Sequence, residues 1–323
     1  FIISSILFLL IFFIGFSIFS QFGTLPEGKH LKQIEKSKNF SKERDQFVNR
    51  RPDIIEKMKK RMISIPLWVD WFFGNESDRS PKEKLPEIVP DMKYFLTKSD
   101  HIKVIWLGHS TLLINLGGKI ILLDPIFSRA ASPVPFVITR FQPPVIKLKD
   151  LPYIDYVVIS HDHYDHLDRD TIKYFKDKKT HFLAPLGVGA HLRGWGINKE
   201  RITELDWWED IKRDGITFTA TPAQHFSGRG FFARNKTLWA GWVLKKGDKK
   251  VFFSGDSGFD SHFKEIGKKL GPFDLAFLDV AQYNSMWREI HLFPHQVPQA
   301  FFDVNAKFLI PIHWAMFEIA MHP

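Results

Sequence analysis

The sequence has no cysteine, and this absence limits the chemistry that it can support. None of the 323 residues is Cys, so disulfide bonds and metal sites built from thiolates are excluded. Any metal ion must be bound by histidine, aspartate or glutamate side chains. The lack of cysteine is compatible with both an oxidising and a reducing compartment.

The first 20 residues have no charged side chain. The stretch FIISSILFLLIFFIGFSIFS matches the length of about 20 apolar residues with which a helix spans a bilayer. A cleaved signal peptide is the alternative, but its apolar stretch is shorter and small residues precede its cleavage site, unlike Ile18-Phe19-Ser20. We therefore expect residues 1–20 to be an uncleaved transmembrane anchor. The lysines between residues 29 and 42 favour a cytoplasmic location for the rest of the chain, but an upstream basic start would reverse this orientation, so the side of the membrane stays open.

The remaining composition is typical of a folded globular protein. It contains 44% hydrophobic and 25% charged residues, and its net charge of +9 favours anionic partners such as a phospholipid membrane. No basic-aromatic module is evident, so nucleic acid is not an expected partner. We divide the chain into the anchor, a basic linker with an N-terminal helical extension at 21–100, and a main domain at 101–323. The oligomeric state stays open, with a homodimer as one expectation.

Short apolar runs rich in β-branched residues predict many strands in the main domain. HIKVIWLG, TLLINL and KIILLDP come first, and Gly117-Gly118 predicts a hairpin between the last two. YIDYVVIS predicts another buried strand, and helical spacing follows it. A second set of strands begins at ITFTATP, and helices and strands then alternate up to KFLIPIHW. Strands followed by helices, twice over, predict an α+β protein, an αββα sandwich of two sheets between helical layers.

The stretch HDHYDHLD, residues 161–168, directly follows a predicted strand and crowds three histidines and three aspartates into eight positions. Such crowding is unfavourable unless a cation neutralises it. In an extended loop His161 and His163 point the same way, while Asp165 and His166 face another side. Three further candidates follow apolar strands: His225, Asp256 and His313. Seven nitrogen and oxygen ligands at strand ends match two ions such as zinc. For the isolated His181 and His262 we expect hydrogen-bonded surface positions instead.

These motifs resemble the metallo-β-lactamase superfamily. HDHYDH, TPAQH, GDSG and PIHW occur in the order of that family, and WLGHSTLLINL, LLDPIFSRAASP and ELDWWE are similar to its N-acylphosphatidylethanolamine-hydrolysing phospholipase D branch. Two departures stand out. Ile290 occupies a position where that branch has Gln, although His291 is present, and the chain stops at Pro323, soon after PIHW. Together with the initial Phe1, this leads us to expect truncation at both ends.

The resemblance implies a site and a mechanism. It places one zinc ion on His161, His163 and His225, a second on Asp165, His166 and His313, and Asp256 between the two. It implies hydrolysis of N-acylphosphatidylethanolamine-like phospholipids to phosphatidic acid and N-acylethanolamine by a hydroxide generated at two zinc ions. We expect Asp165 to orient the nucleophile, His291 to contact the substrate phosphate, and His109 and Asp124 to support the ligand loops. For Trp207 and Trp208, core packing is the first expectation and an acyl-binding groove the second.

Other functions stay open at this point. Within the superfamily, the alternative is a lactonase or a soluble phosphodiesterase of the ascorbate-phosphate lactonase type. Nucleic-acid processing and a metal-stabilised scaffold without activity rank lower, the latter because all seven ligands are present.

Overall fold

Two six-stranded β-sheets face each other in the computed structural model, which describes residues 15, 17–62, 80–230 and 233–319. The strand order is β3-β4-β5-β6-β7-β8 in the first sheet and β14-β13-β12-β11-β10-β9 in the second. The first sheet contains β3 (Lys103–Trp106), β4 (Leu112–Leu116), β5 (Lys119–Leu123), β6 (Tyr156–Val158), β7 (His181–Pro185) and β8 (Ile202–Leu205). The second contains β9 (Asp210–Arg213), β10 (Ile216–Thr221), β11 (Gly241–Lys246), β12 (Lys249–Phe253), β13 (Phe273–Asp279) and β14 (Ala306–Ile312).

Both sheets combine antiparallel and parallel pairs. Strands β3, β4 and β5 pair antiparallel and β5 to β8 pair parallel, whereas β9 to β12 pair antiparallel and β12 to β14 parallel. The predicted hairpin is confirmed: Leu116 is opposite Lys119, and Gly117 and Gly118 both have positive φ, which a two-residue turn of this kind requires.

Side-chain alternation along the strands builds the layers. In β4, Leu112 and Ile114 point into the core between the sheets, while Leu113 points to the opposite face. Helices α4 (Arg169–Tyr174) and α5 (Val188–Gly194) cover that opposite face, and α6 (His262–Leu270) and α7 (Val297–Val304) cover the outer face of the second sheet. The αββα sandwich is therefore confirmed.

The segment before β3 packs on the sandwich through short elements. These are α1 (Gly28–Ile34), the paired strands β1 (Phe40–Ser41) and β2 (Gln46–Phe47), α2 (Ile54–Met62) and α3 (Met92–Leu96). Ile34, Phe40 and Phe47 belong to the core between the two sheets. The described parts of this segment thus contribute to the core of the sandwich.

The predicted transmembrane helix lies almost entirely outside the described residues. Of residues 1–20, only 15 and 17–20 are described, and these are helical. Among the helices that the structure describes, none combines the length and apolar character needed to cross a bilayer.

Candidate metal centre

One rim of the sandwich collects the polar residues that follow its strands. Strands that run in the same direction end at the same edge of a sheet, and in the first sheet β3, β5, β6, β7 and β8 share one direction. In the second sheet β10, β12, β13 and β14 share one direction in the same way. The residues that these ends contribute to the rim are His109, Asp124, the 161–168 loop, His225, Asp256, Asp279 and His313.

Three imidazoles form the first cluster. His163 Nδ1 lies 2.9 Å from His161 Nε2 and 3.2 Å from His225 Nε2. Two nitrogens bound to one tetrahedral zinc ion at 2.0–2.1 Å would be about 3.3 Å apart. The separations are therefore those of ligands that share an ion.

A carboxylate and two imidazoles form the second cluster. Asp165 Oδ2 is 3.4 Å from His166 Nε2 and 3.3 Å from His313 Nε2. Asp256 lies between the clusters: its Oδ2 is 3.1 Å from His313 Nε2 and 3.6 Å from His225 Nε2, and its Oδ1 is 3.1 Å from His166 Nε2. The structure thus brings all seven predicted ligands together, in the two groups predicted, with Asp256 next to both.

Hydrogen bonds behind the clusters fix the imidazole tautomers. His166 Nδ1 donates to Asp124 Oδ2 at 2.8 Å, and His225 Nδ1 donates to the Ile290 carbonyl at 3.1 Å. His161 Nδ1 is 2.9 Å from Ser160 Oγ, which donates to Asp124 Oδ2. Each Nε2 is then left with a free lone pair that faces the centre, which is the form that binds a metal.

Two atoms inside the centre also point to a cation. His166 Nε2 and Asp256 Oδ1 are buried and lie 3.1 Å apart, and neither makes a well-aligned hydrogen bond to the described residues. An orphaned buried acceptor costs about 1–3 kcal/mol, which a metal ion would offset. The donor set of imidazoles and carboxylates therefore fits one or two divalent ions.

The electrostatics of the centre also favour positive charge. Burial is the largest single influence and disfavours the charged forms of both carboxylates, but the adjacent histidines, with His166 foremost, together outweigh it and hold the pKa values of Asp165 and Asp256 well below their usual range. Burial likewise opposes protonation of His166 and His313, yet the surrounding carboxylates, with Asp256 foremost, together raise the pKa of each well above normal. The two carboxylates thus attract cations to the centre.

An apolar cavity of about 480 Å³ opens onto the centre. Its floor includes His163, Asp165 and Asp256. Its walls are mostly apolar, and Met58 on α2 shows that the N-terminal segment contributes to them. The other apolar lining residues are Ala131, Ile138, Phe226, Met286, Trp287, Ile290 and Ile319.

Comparisons with known proteins agree with this geometry. Residues 119–314 match the model of the family described as beta-lactamase superfamily domain. The chain belongs to this superfamily.

An uncharacterised Mycobacterium tuberculosis protein is 39% identical over 282 residues, which are 86% of this chain and 74% of that protein. The N-acyl-phosphatidylethanolamine-hydrolyzing phospholipase D 1 of Caenorhabditis elegans is 38% identical over 227 residues, 66% of this chain and 64% of that protein. The solved structure of a metallo hydrolase from Ignicoccus hospitalis has a TM-score of 0.52 at 22% identity, covers 68% of this chain and 85% of that one, and supports the fold. The predicted family is therefore confirmed, and the protein is a metal-dependent hydrolase.

In this superfamily member, His109 contacts a candidate ligand as predicted for a supporting residue. It is fully buried, and its Nε2 lies 3.0 Å from Asp165 Oδ2. Burial lowers the pKa of His109 to about 4, so the ring is neutral at pH 7 and donates this hydrogen bond. Asp124 also lies where the sequence predicts, and it contacts both Ser160 and His166.

His291 lines the cavity, and a residue that sequence reasoning missed orients it. His291 Nδ1 is 2.7 Å from Asp279 Oδ2, which leaves Nε2 available to the cavity. Asp279 ends a strand, as the predicted ligands do, so that pattern could have identified it. Asn49 was also missed: its side chain pairs with both the N–H and the carbonyl of His225, at 3.1 and 2.6 Å. No local pattern in the sequence indicates this contact.

Expectations for residues away from the centre are partly corrected. The surface position predicted for His262 is wrong: it is the first residue of α6, and its buried side chain lies 3.0 Å from Ser257 Oγ. His181 is half-buried and contacts Thr203 Oγ1 at 2.9 Å, so its predicted hydrogen bond is present. Trp207 packs in the core between the sheets, whereas Lys269 covers the ring of Trp208. Neither tryptophan lines the cavity at the metal centre.

Proposed function

We propose that the protein is a two-zinc phosphodiesterase that hydrolyses N-acylphosphatidylethanolamine-like phospholipids to phosphatidic acid and N-acylethanolamine. The observation that carries this proposal is an apolar cavity of about 480 Å³ that opens directly onto the centre. A lipid needs apolar walls around its chains and a cationic centre at its phosphate. The Caenorhabditis elegans relative, whose name states this activity, supports the same substrate class.

The proposed ligands divide as the two clusters do. His161, His163 and His225 would hold one ion, Asp165, His166 and His313 would hold the other, and Asp256 would contribute to both. Such ions would lower the pKa of a bound water molecule and neutralise charge on the phosphoryl oxygens.

The protein's own groups then orient the reactants. Asp165 has one oxygen fixed by His109 at 3.0 Å, so its carboxylate is held in a single orientation and can accept a hydrogen bond from the attacking water. His291, whose Nδ1 faces Asp279, is a donor at Nε2 in its imidazolium form, and in that form it can donate to a phosphate oxygen or to the departing alkoxide. Attack at phosphorus breaks the bond to the N-acylethanolamine oxygen, which takes up a proton as it leaves.

The cavity walls would select for lipid and exclude water. Phe226 packs against His163 and His225, with ring centroids 4.4 and 4.9 Å away. Ile290, where the resembled branch has Gln, is 4% exposed and adds another apolar group beside His291. The substitution therefore makes the wall less polar, which is compatible with an acyl chain at this position.

We also propose that residues 1–20 anchor the protein to a membrane, because an anchored enzyme meets its lipid substrate at a high local concentration. The supporting observation is the uncharged 20-residue sequence. Fractionation of cells that express the full chain tests this point. Recovery in the soluble fraction would contradict it.

Product analysis by mass spectrometry tests the function. Zinc-loaded protein is incubated with vesicles of N-acylphosphatidylethanolamine and phosphatidylcholine, and a parallel sample receives a panel of lactones. We expect phosphatidic acid and N-acylethanolamine, and neither with His163→Ala. Hydrolysis of lactones with intact vesicles would instead favour the lactonase alternative.

A further inference from the structure

Arg234 is a cationic residue of the cavity to which neither the metal clusters nor the fold gives a role. Its side chain lines the same cavity as His163, Asp165 and Asp256. The backbone there is held firmly, because Asn235 exchanges hydrogen bonds with Ser227. Gly228 allows the close approach, since a Cβ at that position would lie 3.0 Å from the Arg234 Cα.

The guanidinium group of Arg234 has unused donors. Its Nε and Nη2 atoms are buried and have no hydrogen-bond partner among the described residues. Its ring contact is Phe226, whose centroid is 5.3 Å away and which itself packs on His163 and His225. Burial lowers the pKa of Arg234, but a guanidinium keeps its proton at neutral pH, so a positive charge is held in an apolar wall.

Arg229, only five positions earlier, shows what a structural arginine looks like in this fold. It is 1% exposed, and its Nη1 donates to the carbonyls of Asp162 and Leu167. Its Nε donates to the Gln21 carbonyl, and its guanidinium lies over the Tyr164 ring. Carbonyl oxygens and an aromatic ring thus accommodate the Arg229 charge. Nη2 has no partner among the described residues in either arginine, but Arg234 also lacks one at Nε, and unlike Arg229 it lines a cavity that admits ligands.

We propose that Arg234 is the anion-recognising residue of this cavity and that its Nε and Nη2 donate to non-bridging oxygens of a phosphodiester substrate. This inference rests on the proposed function and deepens it. A guanidinium presents two parallel N–H groups that match phosphate oxygens, and such charge-assisted bonds are strong when water is excluded. A neutral lactone offers no charged partner, so Arg234 would favour phosphodiesters over lactones.

Phosphate binding and turnover together test the inference. Isothermal titration of zinc-loaded protein with inorganic phosphate compares wild type, Arg234→Met, Arg234→Lys and the control Arg44→Met, which removes one exposed positive charge outside the cavity. We expect Arg234→Met to bind phosphate about 10- to 100-fold more weakly, Arg234→Lys to recover part of the loss, and Arg44→Met to match wild type. The kcat/KM for bis(4-nitrophenyl) phosphate should fall by a similar factor, while that for the neutral ester 4-nitrophenyl acetate and the zinc content stay unchanged.

The outcomes separate this inference from the proposed function. Equal phosphate affinity in wild type and Arg234→Met would overturn the role of Arg234, and so would a parallel loss of neutral-ester activity or of zinc. If Arg234→Met weakens phosphate binding selectively while wild type leaves N-acylphosphatidylethanolamine vesicles intact, the inference stands and the proposed lipid substrate is wrong.

Discussion

Replacement of Asp124 by asparagine should weaken metal binding, although Asp124 itself faces away from the candidate ions. Asp124 Oδ1 accepts the Ser160 N–H at 2.7 Å, and Oδ2 accepts both Ser160 Oγ and His166 Nδ1, the latter at 2.8 Å. All three partners donate, so the residue must be an acceptor at both oxygens. An amide has one oxygen and one NH₂ group, so it cannot satisfy all three.

Either orientation of the introduced amide has a cost. If its oxygen faces His166, its NH₂ group opposes the Ser160 N–H, and a buried donor is left unpaired at about 1–3 kcal/mol. If its NH₂ group faces His166, that ring must accept at Nδ1 and carry its proton on Nε2, which then cannot bind a metal. We expect the zinc affinity of Asp124→Asn to fall about 10- to 100-fold, the range found when residues behind metal ligands are altered.

Competition with a calibrated zinc chelator measures this effect, and circular dichroism checks that the variant is folded. Ser160→Ala is the matched control: it removes a single hydroxyl and should reduce zinc affinity less than Asp124→Asn does. Affinity within about twofold of wild type for Asp124→Asn would refute the reasoning, because it would show that the His166 tautomer does not depend on Asp124.

Three further substitutions test other parts of the account. His163→Ala removes one of the three imidazoles of the first cluster, so metal analysis should find one equivalent or less and turnover should be lost; near-normal turnover would show that this cluster is not the site. Asn49→Ala leaves the His225 N–H and carbonyl unpaired, so urea denaturation should show a loss of about 2–4 kcal/mol, and an unchanged midpoint would contradict that role. Burial lowers the pKa of His262 to about 3. Between pH 6.5 and pH 3 the unfolded chain therefore takes up a proton that the folded protein does not, so the free energy of unfolding decreases as the pH is lowered. Between pH 7 and pH 4, the free energy of unfolding of metal-free His262→Gln, measured by urea titration, should decrease by about 3 kcal/mol less than that of metal-free wild type. An equal decrease in both proteins would show that His262 does not cause this pH dependence.

Site residues could be predicted from the sequence where their position depends on the neighbouring residues in the chain. Strand-end placement identified His225, Asp256 and His313 because a strand fixes both the position and the direction of the residue that follows it. The αββα arrangement of layers was also predictable, because the spacing of apolar residues and the positions of turn residues can be read from short stretches of sequence.

Contacts between residues far apart in the chain could not be predicted from local sequence patterns. Asn49 and His225 are 176 positions apart, and nothing near either residue indicates that they meet. His262 was misjudged because its burial depends on how α6 packs on the second sheet, which a single position does not reveal. Strand β9 was missed since its residues are exposed or only partly buried, so it lacks the apolar pattern of its neighbours.

Hydrolysis of N-acylphosphatidylethanolamine in ¹⁸O-labelled water tests the central claim most directly. If an activated water attacks phosphorus, the phosphatidic acid product should carry one ¹⁸O atom, and the N-acylethanolamine should carry none. Prior removal of metal should abolish both products, and zinc should restore them. Label in N-acylethanolamine or in released fatty acid, or product formation that persists without metal, would contradict the account.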